Sequence, residues 1–100
     1  MVERPVIEYN PVFQSQVRLA IVAALFNQPA LGFNALKELT GTTDGNLSTH
    51  TQKLEKCGYI QINKRFAGKN PQTSYSLTET GRKAFTRYVE SLEKVIKKEC

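Results

Sequence analysis

The chain has 100 residues, enough for one domain with a single modest core and too few for a second. Its 40% hydrophobic and 23% charged residues lie close to the soluble globular average, which argues against wholesale disorder. The formal net charge of +5 favours an anionic partner.

In chain order, "NPVFQSQVRLAIVAALFNQPA" opens with Asn10 as a helix cap and Pro11 at the first helical position, where its missing N–H costs nothing. Phe13, Val17, Ala20, Ile21, Ala24 and Leu25 then recur at helical spacing, and "NQP" stops the helix. The short apolar "LGF" at 31 to 33 reads as a brief strand. "NALKELTG" predicts a helix of two turns, capped by Asn34, with Leu36 and Leu39 facing inward and Gly41 as terminator.

A third helix follows after almost no loop, over residues 43 to 57, with Thr43 or Asp44 as cap and Gly58 as its stop. Two helices joined by a tight glycine-containing turn match a helix-turn-helix. "YIQINKRF" alternates as a half-buried strand, "AGKNP" is a turn, and "QTSYSL" returns with Tyr75 and Leu77 on one side. From Thr78 an amphipathic helix runs to about Lys97 on the stripe Phe85, Tyr88, Val89, Leu92, Val95 and Ile96. The expected fold is therefore mainly α with a small β-hairpin wing, in winged helix-turn-helix order, as one domain over residues 1 to 100.

The third helix carries an unusual outer face. On a helical wheel Leu47, His50, Leu54 and Cys57 form one stripe, and Gly45, Ser48, Thr49, Gln52 and Lys56 lie opposite, flanked by Asn46 and Lys53. A solvated face is normally charged, whereas this one is mostly small, neutral and able to hydrogen-bond. Base edges in the major groove offer donors, acceptors and methyl groups, so a reading face needs this chemistry with few carboxylates. Gly45, Asn46, Ser48, Thr49 and Gln52 are the candidate base-reading residues. Gly45 near the helix start lets backbone approach a phosphate closely.

The positive charge follows the same segment. Residues 1 to 40 balance Arg4, Arg18 and Lys37 against three glutamates, whereas residues 41 to 77 set Lys53, Lys56, Lys64, Arg65 and Lys69 against Asp44 and Glu55, a net +3. Lys53, Lys56, Lys64, Arg65, Lys69, Asn70 and Thr73 are candidate contacts to phosphate, with the wing over about 64 to 73 on the backbone or in a minor groove. Neutral solvation of the helix face, and charge that protects an edge strand, are the plainer readings of each feature taken alone.

"LSTHTQKLEKCGYI" resembles the S-x-H-L-x-x-L-x-x-A-G-L signature of ArsR and MarR type bacterial and archaeal regulators, through Ser48, His50, Leu54, Gly58 and Tyr59. "TSYSLTETGRKAF" is similar to the T-x-Y-x-L-T-x-x-G-R segment shared by MarR, PadR and related proteins, through Thr73, Tyr75, Leu77, Thr78, Gly81 and Arg82. The resemblance covers about residues 10 to 97. It departs from ArsR proteins at Thr51, where they usually carry Leu, and in lacking their metal-sensing Cys-x-Cys box.

The resemblance implies a DNA-binding transcriptional regulator, a repressor, that acts as a homodimer and sets two recognition helices in successive major grooves. The last helix, within residues 78 to 100, is the candidate dimer interface through Phe85, Tyr88, Leu92, Val95 and Ile96, and the segment "VERPVIEY" could add to it. The alternative is a winged-helix protein-interaction module that binds no specific DNA. An enzyme is not expected, since there is one histidine, no glycine-rich phosphate loop and no paired nucleophile and base. Neither a metal nor a cofactor is expected, because Cys57 and His50 cannot complete a four-ligand site. A small-molecule effector has no residue pattern to support it.

The longest uncharged apolar run, Leu19 to Phe26, is far below the roughly 20 residues of a membrane span. The N-terminus lacks a secretory pattern, so a cytoplasmic protein is expected. Cys57 reads as a small core hydrophobe and Cys100 as a terminal thiol able to cross-link copies.

Overall fold

Asn10 starts the fold, its side chain accepting from the Val12 amide at 3.0 Å, but the turn it caps is a short 3-10 turn, Pro11–Gln14. In the computed structural model, which describes residues 7–98, the chain breaks at extended Ser15 and restarts as α1, Gln16–Phe26. Ser15 accepts from the Arg18 amide at 3.2 Å and so caps α1 itself. The single helix expected from Asn10 is thus two pieces with two caps, and the break turns Phe13 into the core.

Leu31–Gly32 form β1, and α2 spans Phe33–Thr40. Its cap is Gly32, without a side-chain bond, rather than Asn34. Leu36 is buried, but Leu39 is 64% exposed, contrary to the expected inward pair, because the inward stripe of α2 runs through Phe33, Leu36, Lys37 and Thr40 and Leu39 lies to its side. Gly41 terminates α2 at φ 65, a left-handed conformation in which a β-carbon is penalised. Helix α3 then runs Asp44–Lys56.

Strands β2, Ile60–Ala67, and β3, Asn70–Leu77, form the hairpin, and β1 adds antiparallel to the other edge of β3, giving the order β1-β3-β2. The turn is two residues, Gly68 and Lys69, with Gly68 at φ 66. Helix α4 covers Glu79–Lys98. The expected winged helix-turn-helix order and mainly α content are both present.

Phe13, Ile21, Val22, Leu25, Leu36, Leu47, Leu54, Ile60 and Tyr75 make the core, and Leu31 of β1 packs against it partly buried. At about 1.5–3 kcal/mol for each large apolar side chain buried, this cluster is the main favourable term. From α4, Ala84, Phe85 and Tyr88 pack against it among the described residues. Phe13 centres an aromatic group, with Tyr59 at 5.8 Å, Phe85 at 6.1 Å and Tyr88 at 5.1 Å between ring centroids. Val2 to Val6 of the "VERPVIEY" segment, and Cys100, lie outside the described residues. No helix of the described residues is long and apolar enough to cross a membrane.

Candidate nucleic-acid interface

Helix α3 is fixed at both ends. Thr43 is its cap, its hydroxyl accepting from the Asn46 amide at 3.2 Å and its carbonyl from the Leu47 amide at 2.9 Å. At the other end Gly58 takes φ 81, and the Cys57 amide donates to the Lys53 carbonyl at 3.0 Å. Cys57 is exposed at this terminus, so it is not the core residue expected from the wheel; the helix ends before the stripe reaches it.

The buried face is Leu47, Thr51 and Leu54. Thr51, 2% exposed, donates to the Ser48 carbonyl at 3.1 Å. Burial raises the Tyr75 pKa, and the neighbouring Thr51 hydroxyl acts in the opposite direction. Thr51 and Tyr75 are both buried between α3 and β3, and no buried side-chain polar atom of the described residues lacks a partner.

His50 sits half-buried at the edge of the same face. Arg18 reaches its Nδ1 at 3.3 Å while donating through Nε to the Val12 carbonyl at 2.8 Å and through Nη2 to the Pro11 carbonyl at 3.3 Å. Because a guanidinium can only donate, Nδ1 accepts and the imidazole is held neutral. Burial first, then the charges of Arg18 and Lys53, lower its pKa below 6.5. Arg18 is the residue that sequence reasoning missed. Its place in an apolar-periodic helix, one turn from the Ser15 cap, gave no hint of a partner 32 positions away.

On the outer face Gly45, Asn46, Ser48, Thr49, Gln52, Lys53 and Lys56 are all exposed. Gln52 Nε2 donates to Ser48 Oγ at 3.4 Å, which holds the amide along the helix surface. A β-carbon at Gly45 would meet nothing within 4 Å, so no packing inside this chain requires the glycine, and the space it leaves is open to a partner. Asp44 is paired with Lys37 at 2.6 Å, an exposed bridge across the turn that places little net negative charge at the helix start.

A cleft of about 970 Å³ lies between α3 and the hairpin. Ser48, Thr49, Gln52, Lys53 and Lys56 line one side and Lys64 and Thr73 the other, over a floor that includes Phe33, Ile62 and Tyr75. The register explains the split of the wing residues. Lys64 pairs with Thr73, two positions from the pair Ile62 and Tyr75 and therefore on the same face. Arg65 pairs with Gln72 on the opposite face and borders a separate cleft of about 470 Å³ that also includes Asn34. Lys69 and Asn70 are exposed at the tip. The structure therefore gathers seven of the expected residues around one cleft, leaves Gly45 and Asn46 at the start of α3, and turns Arg65 away.

A model of the winged helix DNA-binding domain matches residues 17–96. The chain belongs to this family. An uncharacterized protein of Methanocaldococcus jannaschii is 38% identical over 90 residues, which cover 89% of this chain and 98% of that one. The solved structure of a transcriptional regulator homologue from Pyrococcus horikoshii superposes with a TM-score of 0.79 at 29% identity, covering 86% of this chain and 85% of that one. Bacillus subtilis PadR in complex with operator DNA shares the fold at a TM-score of 0.62 and 16% identity, over 70% of this chain and 45% of PadR. In this winged helix domain the α2–α3 pair is the helix-turn-helix and the β2–β3 hairpin is the wing.

Of the expected dimer residues, Phe85 and Tyr88 lie in the protomer's own aromatic cluster, Phe85 also meeting Phe26 at 5.1 Å. Leu92 and Val95 are half-buried on α4, and Ile96 is 62% exposed. The N-terminal segment lies along the same helix: the Glu8 amide donates to Ser91 Oγ at 2.9 Å, and Arg87 pairs with Glu8 at 3.1 Å.

Proposed function

We propose that this winged helix domain is a sequence-specific double-stranded DNA-binding regulator that works in the cytoplasm as a homodimer and represses by occupying its operator. The observation that carries the reading is the cleft between α3 and the wing. One wall is the face of α3 on which Ser48, Thr49 and Gln52 stand beside Lys53, Glu55 and Lys56, and Lys64 faces it from the wing. Asn46, Ser48, Thr49 and Gln52 offer amides and hydroxyls to base edges. Gly45 admits a phosphate near the helix start. Lys53, Lys56, Lys64 and Lys69 neutralise phosphates, with Asn70 and Thr73 as neutral backbone contacts.

The dimer reading rests on α4. At about 1.5 Å per residue its 20 residues span roughly 30 Å, and the stripe Val89, Leu92, Val95 and Ile96 runs on beyond the aromatic contacts of Phe85 and Tyr88. Ile7 and Tyr9, both exposed, flank Glu8 in the segment held by Ser91.

Two alanine variants test the division of labour. Gln52→Ala is expected to relax sequence preference, costing about 1–3 kcal/mol on the preferred duplex and little on others. Lys69→Ala should weaken all sequences alike and reduce the salt slope by about one. Equal losses of specificity from both variants would contradict the assignment.

A further inference from the structure

The wing carries one residue that the phosphate-contact reading does not use. From Asn63 to Ser74 the hairpin is polar or cationic apart from Ala67, Gly68, Pro71 and a single aromatic, Phe66. Phe66 is 72% exposed. It pairs with Pro71, and the register sets it on the face of Ile62, Lys64, Thr73 and Tyr75, which is the face of the cleft shared with α3. Two residues further out than Lys64, it stands roughly 7 Å beyond that side chain along the strand. The ring stays outside the buried core, so its apolar surface is left in water within a strongly basic element.

We infer that Phe66 is an intercalating wedge. With α3 in a major groove, the hairpin crosses the backbone to the adjacent minor groove, and the ring enters a base step there, partly unstacking it and bending the duplex. This deepens the DNA-binding reading above and rests on it. Charge supports duplex DNA as the occupant, because Lys64 stands on the same face of the strand, Lys69 lies at the tip of the hairpin, and the wing segment 63 to 74 holds no carboxylate. Cations that grip the phosphates beside an apolar ring that replaces base stacking are the combination that kinks DNA from the minor-groove side. Pro71, across the strand pair, stiffens the support beneath the ring.

The test uses a short duplex from immediately upstream of the chain's own coding sequence, with a donor and an acceptor dye at its two ends. It compares the full chain with Phe66→Ala and Phe66→Leu over a salt series. The wild type is expected to shorten the end-to-end distance. Phe66→Ala should bind roughly five- to a hundredfold more weakly and leave the duplex straighter, with an unchanged salt slope because every cation is retained. Phe66→Leu, which keeps an apolar wedge, should lie between. Melting temperatures equal to that of the wild type show that the losses are not unfolding, as the exposure of the residue implies. The wedge is overturned, with DNA binding intact, if Phe66→Ala matches the wild type in affinity and end-to-end distance, or if the wild type binds without bending. No binding by the wild type to any duplex at low salt overturns the DNA reading and the wedge together.

Discussion

Gly81 stands directly against the backbone carbonyl of Tyr59, so close that a β-carbon at position 81 would overlap that oxygen and press on Leu77 Cδ1 at 2.9 Å. The contact is where α4 docks on the hairpin. The Thr78 amide donates to the Tyr59 carbonyl at 2.9 Å, and the Thr78 hydroxyl accepts from the Gly81 amide at 3.0 Å, capping the helix. Arg82, one residue on, lies 4.8 Å above the Phe26 ring and donates to the Phe26 carbonyl at 3.3 Å. The T-x-x-G-R motif is thus a docking device: Thr caps, Gly allows the approach, and Arg covers α1.

Gly81→Ala should therefore destabilise the fold by about 1–3 kcal/mol or more through overpacking, although alanine favours helix by itself. Thermal unfolding measures it. An unchanged or raised melting temperature would mean that α4 moves away from Tyr59 at no cost.

His50 makes stability depend on pH. The folded chain holds the imidazole below its ordinary pKa of 6.5, so below 6.5 the unfolded chain binds more protons than the folded one. The stabilising contribution is complete above 6.5 and is lost as pH falls towards the lower folded value. His50→Gln should flatten that limb of the melting-temperature profile. A variant profile parallel to the wild type would remove His50 as its source.

The opposite facing of Lys64 and Arg65 predicts unequal roles. Lys64→Ala should weaken binding to every duplex and lower the salt slope by about one, and Arg65→Ala should do less of both. Equal slopes would show that a duplex wraps both faces of the hairpin.

Val95→Glu should separate the proposed dimer. Burying an unpaired carboxylate costs several kcal/mol, enough to weaken association roughly a hundredfold or more. Sedimentation should then give a folded monomer, and the dependence of the melting temperature on protein concentration seen for the wild type should be lost. A wild type that sediments as a monomer would reject the α4 interface.

Much of this was legible locally. The order of elements, the glycine stops at 41 and 58, and the neutral face of α3 all follow from periodicity and capping, which depend on neighbours in the chain. The misreadings occur where a local pattern was carried past its limit. The apolar repeat ran through Ser15, whose side-chain cap interrupts it. The α3 stripe was extended to Cys57, beyond the last helical turn. Arg18 was missed as a structural partner because His50 lies far away in sequence, and a guanidinium group leaves no periodic trace. The split of the wing cations depended on strand register, which the alternation alone left open.

The most direct test of the central claim is binding of the purified chain to its own upstream duplex against a scrambled duplex of the same composition, from low to physiological salt. The account predicts tighter binding to the native duplex that persists at physiological salt. Equal affinity for both, collapsing as salt rises, would contradict sequence-specific recognition by α3.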